Sequence, residues 1–358
     1  GLGDVYKRQV GISVMTPNAP RAYDMAARLR DRGIPVVLGG VHPTLLPDEA
    51  QDHGDAIVVG YADEAWPRLL IDLAAGRLAP RYETRLTGKF QGEGQEPAHH
   101  LLRADRYWFP HTLEGTRGCR NACRFCVIPR VARGAYLKRR VEDVVGEIRR
   151  LGARRVAFLD QSPGEDPEHW TALFEELGRL GIRWVSNVSM KQAAQRDWVE
   201  HAALSGCMGV LIGFESLNAE ALQGEGKGFN RVEAYSTVIR HLHQRGMFVF
   251  GSFLFGLDGD DPGVFQRTAE FADRHAVDLV NPGIFTPFPG TPDFEQMEEE
   301  DRIVTRDWSR YDCTQVVFEP QGMSADELQR GYYGFYRRIH SLSSIFRRVV
   351  GSPSNLPY

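Results

Sequence analysis

Short apolar stretches alternate with amphipathic ones along residues 111–286. We predict six strands there: HTLEGT (111–116), RRVAFLD (154–160), IRWVSNVS (182–189), CMGVLIGF (207–214), MFVFGSFLFG (247–256) and DLVNPGIFT (278–286). The stretches between them have helical spacing, which gives five intervening helices. Strands that are joined through such helices run parallel. The alternation therefore predicts an α/β fold, a partial (β/α)6 TIM-like barrel, with its chemistry at the carboxyl ends of the strands.

A second alternation precedes this one, from Val10 to about Gly76. Its predicted strands are VGISVM (10–15), IPVVLGG (34–40) and DAIVVG (55–60), and a helix follows each of them. Continuous apolar strands separated by helices are typical of a doubly wound parallel sheet. Because three strands are fewer than such a sheet usually has, we predict an incomplete Rossmann or flavodoxin-like domain over residues 10–80.

The remaining stretches set the other boundaries. GLGDVYKRQ (1–9) has no apolar period and looks like a translated sequencing-adapter scar, so we expect a non-native start and an N-terminally truncated chain. The polar, glycine-rich stretch at 81–110 is predicted to link the first domain to a barrel at 111–290. Residues 291–358 form a predicted, mostly helical C-terminal extension, with a capping box that begins at Ser324.

Composition and charge argue against several classes of protein. The net charge of −4 argues against a nucleic-acid-binding protein. The longest apolar run, at 247–257, is shorter than the roughly 18 residues of a membrane span, and no signal peptide is visible. The five cysteines include a cluster of three, which favours a reducing, cytoplasmic compartment and a metal over a disulfide framework.

The stretch RGCRNACRFCVIP (117–129) places Cys119, Cys123 and Cys126 within eight residues. Cysteine thiolates hold zinc or iron–sulfur clusters. A closed zinc site has four ligands, but the other two cysteines are isolated in the sequence and no histidine stands at ligand spacing nearby. Three cysteines around a four-iron cluster leave one iron open to a small molecule. A metal-binding interaction module that holds zinc is the alternative at this point.

The CxxxCxxC spacing, with the aromatic Phe125 before the last cysteine and the (β/α)6 pattern around it, resembles the radical S-adenosylmethionine (SAM) superfamily. The resemblance implies a [4Fe-4S] cluster held by Cys119, Cys123 and Cys126, with SAM chelated to the fourth iron. It also implies that one electron from the reduced cluster cleaves SAM to methionine and the 5′-deoxyadenosyl radical.

The resemblance also assigns SAM contacts, most of them at the ends of predicted strands. Asp160 falls where the superfamily binds the amino group of SAM, although a helix cap is an equal alternative for this residue. Glu215 falls where a carboxylate accepts hydrogen bonds from the ribose, and the turn from Gly256 lies where the family passes beneath the adenine. The expected SAM contacts are Phe125, Asp160, Asn187, Ser189, Glu215, Gly256, Phe285 and Thr286.

The N-terminal region resembles the second half of a cobalamin-binding domain. A glycine pair follows a buried strand in LGGVHP (38–43), and glycine lets a ligand approach the backbone at the carboxyl edge of a parallel sheet. His42 is expected to be a loop residue and not a cobalt ligand. A flavodoxin-like domain without a ligand would contain the same glycine pair. The expected cobalamin contacts are Ser13 and Thr16 near the nucleotide tail, and Gly39, Gly40 and Gly60 along its slot.

The region after residue 256 resembles cobalamin-dependent radical SAM proteins near the hopanoid C-2 methylases. The combined resemblance implies a cobalamin-dependent radical SAM methyltransferase that acts on an unactivated carbon of a small-molecule or lipid substrate. It also implies an electron donor of the flavodoxin or ferredoxin type. A radical cyclase or oxidoreductase without methyl transfer is the alternative that keeps these cofactors.

Eight arginine and lysine residues lie between residues 117 and 140. In one interpretation they offset the negative charge of a cluster, and in the other they form a solvated basic loop on which an acidic electron donor docks. We favour the solvated loop for most of them.

Overall fold

The computed structural model describes residues 9–84, 97–107 and 111–352 of the 358-residue chain. The predicted scar at 1–9 therefore lies outside the described residues, apart from Gln9. Residues 85–96 and 108–110 of the predicted linker also lie outside them.

The N-terminal region forms a parallel four-stranded sheet in the order β1-β2-β3-β4. Its strands are β1 (Val10–Ser13), β2 (Val36–Gly39), β3 (Ala56–Val59) and β4 (Arg81–Glu83). Its helices are α1 (Ala19–Arg30), α2 (Val41–Leu45), α3 (Pro47–His53) and α4 (Ala65–Ala74). Each helix or helix pair returns the chain between parallel strands, as the alternation predicts.

Strand β4 corrects the prediction that the linker begins at residue 81. Tyr82 is 6% exposed and packs in a core that includes Val58 and Leu69, while Arg81 and Glu83 on either side of it are exposed. A polar edge strand with a single inward side chain lacks the continuous apolar run that identifies a buried parallel strand. The sequence signal was therefore too weak to separate this strand from the linker.

The rest of the chain contains the larger sheet, a two-stranded ribbon and the helices that connect them. The strands are β5 (Thr112–Leu113), β6 (Thr116–Gly118), β7 (Tyr136–Lys138), β8 (Arg155–Phe158), β9 (Arg183–Val188), β10 (Cys207–Glu215), β11 (Phe248–Phe255) and β12 (Leu279–Ile284). The helices are α5 (Ile128–Val131), α6 (Val141–Leu151), α7 (Pro167–Leu180), α8 (Met190–Ala193), α9 (Arg196–Leu204), α10 (Ala219–Gly224), α11 (Tyr235–Gln244), α12 (Val264–Arg274), α13 (Pro292–Glu299), α14 (Ala325–Ile339) and α15 (Leu342–Gly351).

The larger sheet has six parallel strands in the order β5-β8-β9-β10-β11-β12, which confirms the predicted partial barrel. Its strands pack on the helices through large aromatic side chains. The rings of Phe158 on β8 and Trp170 on α7 lie 5.9 Å apart, and Trp184 on β9 lies 5.9 Å from the same phenylalanine. All three are at most 2% exposed, and burial of such side chains contributes about 1.5–3 kcal/mol each.

The first predicted strand, HTLEGT, is divided in the structure. Only β5 pairs with the larger sheet, through its neighbour β8, whereas β6 pairs with β7 in an antiparallel ribbon. The division falls at Gly115, whose backbone N–H group donates to the Asp160 carboxylate and not to a neighbouring strand. The cysteine loop therefore follows the ribbon strand β6, and not the first strand of the barrel as expected.

Contacts divide the chain into two compact units that are discontinuous in sequence, whereas the prediction placed consecutive domains along the chain. The first unit comprises the described residues of Gly1–Gly92, Arg124–Ala135 and Thr286–Phe318. The second comprises those of Glu93–Cys123, Tyr136–Phe285 and Glu319–Tyr358. Contacts between distant stretches explain the difference: within the first unit, Trp308 Nε1 donates to Glu49 at 3.1 Å.

The predicted capping box at the start of α14 is present, with reciprocal hydrogen bonds between Ser324 and Glu327. In the second unit, Phe335 of this helix lies 4.8 Å from Phe255 of β11, ring centre to ring centre. Its apolar face is thus packed on the barrel. Among the described residues, no helix is long and apolar enough to cross a membrane.

Candidate functional site

The three clustered cysteines lie between strand β6 and helix α5, and each is partly buried. No three or more His, Cys, Asp or Glu side chains of the described residues are placed to hold a single metal ion. In a four-iron cluster each thiolate binds a different iron, so the ligands of one ion are not the arrangement it needs. The sequence spacing of the three cysteines, with two N–H groups of Asn121 directed at the Cys119 sulfur, suits the ligand set of a [4Fe-4S] cluster.

Asp160 and Gln161 follow β8 and hold the strand that leads to the cysteines. The Asp160 carboxylate accepts hydrogen bonds from Gly115 N at 3.0 Å and from Thr116 Oγ1 at 2.5 Å. Gln161 Oε1 accepts from Gly118 N at 2.9 Å. The structure thus directs the Asp160 carboxylate toward the β5–β6 connection, and the cap of α7 is Asp166 instead.

The environment of Asp160 perturbs its ionisation. The residue is 0% exposed, and this burial raises the pKa of its carboxyl group to about 7. The hydrogen bonds from Thr116 and Gly115 favour the carboxylate and oppose the effect of burial only in part.

Two further candidates lie on β9 and just after it. Asn187 Nδ2 donates to the Asp160 carbonyl oxygen at 3.0 Å, so the end of β9 is tied to the end of β8. Ser189 is the N-cap of α8, and its hydroxyl oxygen accepts from Gln192 N at 3.4 Å. Ser189 therefore has a local capping role in this structure.

Glu215 ends β10 in an unusual backbone conformation. Its φ is +63°, the register of β10 against β11 shifts between Gly213 and Glu215, and the residue is 8% exposed. Its carboxylate forms an ion pair with Lys227, whose side chain is also largely buried. A positive φ is energetically unfavourable for a non-glycine residue. Such strain persists only where the surrounding structure enforces it, and it is found most often at functional sites.

Lys227 and Asn230 are residues of this site that the sequence analysis did not single out. Asn230 Nδ2 donates to the carbonyl oxygens of Gly213 at 2.8 Å and Phe214 at 3.1 Å, which holds the irregular end of β10. The backbone at Gly226 lies against the Ala122 carbonyl of the cysteine loop. A sequence signal could have identified them. The carboxylate of Glu215 ends an apolar strand and therefore requires a partner, and the KGFN stretch that follows offers a lysine.

Gly256 follows β11 with a φ of +94°, a conformation that favours glycine. Its N–H group donates to Asp260 Oδ2 at 3.0 Å, and that of Leu257 donates to the same oxygen at 3.2 Å. Burial raises the pKa of Asp260 to about 6. The predicted turn after β11 is therefore built around a buried carboxylate.

The other predicted SAM contacts are divided between the units. In the second unit, Phe285 is 1% exposed and its N–H group donates to the Phe255 carbonyl at 2.8 Å. In the first unit, Thr286 is 4% exposed and hydrogen-bonds the thiol of Cys313, while Phe125 is partly buried.

The glycines of the first unit leave space at the carboxyl edge of its sheet. A Cβ atom on Gly39 would come no closer than 3.6 Å to a neighbour, and one on Gly60 would meet nothing within 4 Å. Gly40 has a φ of +98° and packs directly on the backbone of Val14. The open backbone at Gly39 and Gly60 fits the approach of a large ligand such as cobalamin, and Ser13 beside it is exposed.

Thr16 belongs to a buried network of the first unit. His42 is not a loop residue, as the sequence suggested, but lies in helix α2 and is 0% exposed. Its Nδ1 lies 3.3 Å from Thr16 Oγ1 and its Nε2 3.2 Å from Glu49 Oε1. Burial lowers the pKa of His42, so the neutral ring accepts from Thr16 at Nδ1 and donates to Glu49 at Nε2.

Six of the eight basic residues between 117 and 140 form ion pairs with acidic side chains, but five of the eight are exposed, which agrees with the expectation of a solvated loop for most of them. In the second unit the pairs are Arg117–Glu114, Lys138–Asp166, Arg139–Glu147 and Arg140–Glu142. In the first unit they are Arg124–Asp293 and Arg133–Glu83. Glu147 and Arg139 are 1% and 7% exposed, so this pair is part of the protein core.

Two family models match the chain. The model described as the radical SAM superfamily matches residues 113–272, and the one described as the B12 binding domain matches residues 4–70. The first range contains the cysteine loop, and the second contains the open glycines Gly39, Gly40 and Gly60. These matches confirm both resemblances and exclude the alternative of a zinc-holding interaction module.

Two curated relatives come from Chlorobaculum tepidum. Bacteriochlorophyllide d C-12(1)-methyltransferase is 33% identical, with 97% of this chain and 77% of the relative covered. Bacteriochlorophyllide d C-8(2)-methyltransferase is 28% identical, with 97% and 81% covered. The solved structure of the radical SAM methyltransferase TsrM from Kitasatospora setae, with cobalamin and a [4Fe-4S] cluster bound, has the same fold: the TM-score is 0.69 at 16% identity, over 94% of this chain and 74% of that chain. The chain therefore belongs to the radical SAM superfamily, within its branch of cobalamin-dependent methyltransferases.

Proposed function

We propose that the chain methylates an unactivated carbon of a tetrapyrrole of the bacteriochlorophyllide type. The observation that carries this substrate class is that two relatives named for bacteriochlorophyllide d methylation each match 97% of the chain. The cluster, SAM and cobalamin supply the radical and methyl-transfer chemistry when they are bound. The part of the chain is to bind and orient these groups and to exclude water.

We assign the cluster to Cys119, Cys123 and Cys126. In the second unit, Glu215 is assigned to the ribose of SAM, because its carboxylate stands at the end of β10 and is held there by Lys227. Lys227 adds a positive charge beside the cysteine loop that suits the carboxylate of SAM. Asn187 and Gly256 are assigned to the same ligand, whereas Asp160 is assigned to the positioning of the cysteine loop.

In the first unit we assign Gly39, Gly40 and Gly60 to the cobalamin slot. The space at Gly39 and Gly60 supports this assignment, and Ser13 is the exposed polar group beside them. Thr16 is 1% exposed and its hydroxyl group is directed at His42. We therefore assign Thr16 to the support of the slot through His42 and not to direct contact with the nucleotide tail.

We infer that an electron carrier of the flavodoxin or ferredoxin type reduces the cluster. The support is chemical: radical SAM cleavage consumes one electron at low potential, and plant-type ferredoxins lie at about −400 mV. Since most of the basic residues from 117 to 140 are already paired, we do not place the docking surface on that loop.

Cysteine variants test the cluster assignment. Cys119→Ser, Cys123→Ser and Cys126→Ser should each lose bound iron and the release of 5′-deoxyadenosine from SAM. Cys207→Ser is the matched control, because Cys207 is 4% exposed at the start of β10, where burial raises the pKa of its thiol to about 12. Full iron content in the three loop variants would contradict the assignment.

A substrate comparison tests the proposed class. In anaerobically reconstituted protein, bacteriochlorophyllide d should accelerate 5′-deoxyadenosine release, while a hopanoid should not. Acceleration by the hopanoid alone would show that the tetrapyrrole assignment is wrong while leaving the radical chemistry intact.

A further inference from the structure

We propose that Asn121 raises the reduction potential of the cluster by donating hydrogen bonds to Cys119 Sγ, and that Glu165 positions the Asn121 side chain for this role. The proposal rests on the assignment of Cys119 as a cluster ligand. All three residues belong to the second unit.

Two N–H groups of Asn121 are directed at one sulfur. The backbone nitrogen lies 3.4 Å from Cys119 Sγ, and the side-chain Nδ2 lies 3.3 Å from the same atom. Both distances are in the range of an N–H···S hydrogen bond. A thiolate that binds iron can accept both, since its remaining lone pairs point away from the metal.

The same amide nitrogen also reaches a carboxylate. Asn121 Nδ2 donates to Glu165 Oε1 at 3.2 Å, and an amide NH₂ group has two hydrogens, one for each acceptor. A carboxylate is an acceptor only, so it selects the orientation in which the nitrogen and not the oxygen of Asn121 faces it. This orientation also places the nitrogen against Cys119 Sγ.

Glu165 is itself fixed. Ser162, which is 1% exposed, donates through Oγ to Glu165 Oε1 at 2.9 Å. Arg120 Nη1 donates to the Glu165 carbonyl oxygen at 3.3 Å, and the Arg120 guanidinium lies 5.2 Å from the centre of the Tyr136 ring. Glu165 is therefore held from both its side chain and its backbone.

The connection between β8 and α7 thus positions both the backbone before Cys119 and the Asn121 side chain that donates to the Cys119 sulfur. Its first residues, Asp160 and Gln161, hold Gly115, Thr116 and Gly118 just before Cys119, and its later residue Glu165 holds Asn121. A displacement of this connection would move the ligand and the hydrogen bonds together.

Hydrogen bonds to cluster sulfurs change the reduction potential. Reduction adds one electron and makes the cluster more negative, and donors directed at a sulfur stabilise the more negative state more strongly. Loss of the Asn121 side-chain donor should therefore shift the potential to a more negative value. The backbone donor remains, so the shift is partial.

The test is a redox titration of the reconstituted protein, followed by electron paramagnetic resonance, with iron and sulfide measured for each chain. Asn121→Ala should shift the midpoint potential to a more negative value at unchanged iron content. Glu165→Ala should shift it less, in the same direction. Because Glu165 acts through Asn121, the double variant should match Asn121→Ala, and Glu165→Gln, which keeps an acceptor oxygen, should match the wild type.

An unchanged potential in Asn121→Ala at full iron content would overturn the proposal, and so would additive shifts in the double variant. If Asn121→Ala holds no iron, the comparison of Glu165→Ala with Glu165→Gln decides, and equal potentials overturn the proposal. Wild-type protein without iron would instead overturn the cysteine assignment, which separates the two failures.

Discussion

The hydroxyl group of Thr116 donates a 2.5 Å hydrogen bond to the fully buried carboxylate of Asp160, across the gap between the start of β6 and the end of β8. The second oxygen of Asp160 accepts from Gly115 N. The end of a barrel strand thereby fixes the backbone that leads to the cysteine loop, so the geometry of the proposed cluster site depends on a residue that is not a ligand.

Removal of the Thr116 hydroxyl group should destabilise this connection. Thr116→Val leaves a buried carboxylate oxygen without one of its donors, and such a loss costs about 1–3 kcal/mol. Thr116→Ser keeps the hydroxyl group and is the control. Denaturant titration measures the free energy of unfolding of both variants. If Thr116→Val were as stable as Thr116→Ser, the proposed role of the hydroxyl group in holding this connection would be contradicted.

Asp160 should make stability depend on pH. Burial raises the pKa of its carboxyl group from 3.8 to about 7, so the folded protein binds the proton more tightly than the unfolded chain does. The contribution of this group to stability is therefore fully present below about pH 4 and is lost as the pH rises to about 7. Asp160→Asn removes the ionisation.

The measurement is the free energy of unfolding of both proteins at pH 5.5 and pH 7.5, from denaturant titrations. The wild type should lose stability relative to Asp160→Asn as the pH rises from 5.5 to 7.5. The two values lie on either side of the raised pKa of about 7. A difference that stays constant with pH would contradict the raised pKa.

The ion pair between Glu215 and Lys227 should be energetically coupled. Both side chains are about 90% buried, and removal of one partner of a buried pair costs about 3–5 kcal/mol because the other charge is left uncompensated. We expect Lys227→Met to be strongly destabilising, and Glu215→Gln with Lys227→Met to cost less than the sum of the single changes. Lys191→Met, at an exposed lysine of α8, is the control. Additive unfolding free energies would contradict the coupling.

The two neighbouring glycines of β2 and its turn should respond differently to alanine. In Gly40→Ala the new Cβ would lie 2.9 Å from the Val14 backbone at a φ of +98°, so we expect a loss of about 1–3 kcal/mol. In Gly39→Ala the Cβ makes an ordinary 3.6 Å contact with Val58, so stability should be retained.

Cobalamin retention distinguishes a role of Gly39 in ligand binding from a role in protein stability. If Gly39 lines the slot, the added methyl group in Gly39→Ala occupies space that the ligand needs. Cobalamin absorbance after gel filtration should then fall while thermal unfolding is unchanged. Full retention of cobalamin by Gly39→Ala would contradict the assignment of this glycine.

The parts of the fold that the sequence predicts are those with repeated local signals. The six barrel strands carry apolar runs between amphipathic helices, and Ser324 and Glu327 form the predicted capping box. Strand β4 was not predicted because Tyr82 is its only inward side chain. The discontinuous first unit was not predicted either, because contacts such as that of Trp308 with Glu49 join residues far apart in the sequence.

The candidate site was predictable to a similar extent. The cysteine spacing identified the superfamily, and strand ends identified Asp160 and Glu215 as special positions. The roles of Lys227 and Asn121 were less predictable from the sequence. Neither residue stands at a recognisable spacing, and each acquires its role from a side-chain contact, with Glu215 and Glu165 respectively. The position of Asp160 was predictable but its role was not, because that role depends on the hydrogen bond from Gly115 N to its carboxylate.

The central claim is methyl transfer to a tetrapyrrole carbon, and the most direct test follows the methyl group itself. Reconstituted protein is incubated with bacteriochlorophyllide d and SAM that carries a deuterated methyl group, and the pigment is examined by mass spectrometry. We predict a pigment that has gained the deuterated methyl group, with none gained in Cys123→Ser. Formation of 5′-deoxyadenosine and of a changed pigment without deuterium would contradict methyl transfer and support a radical cyclase or oxidoreductase.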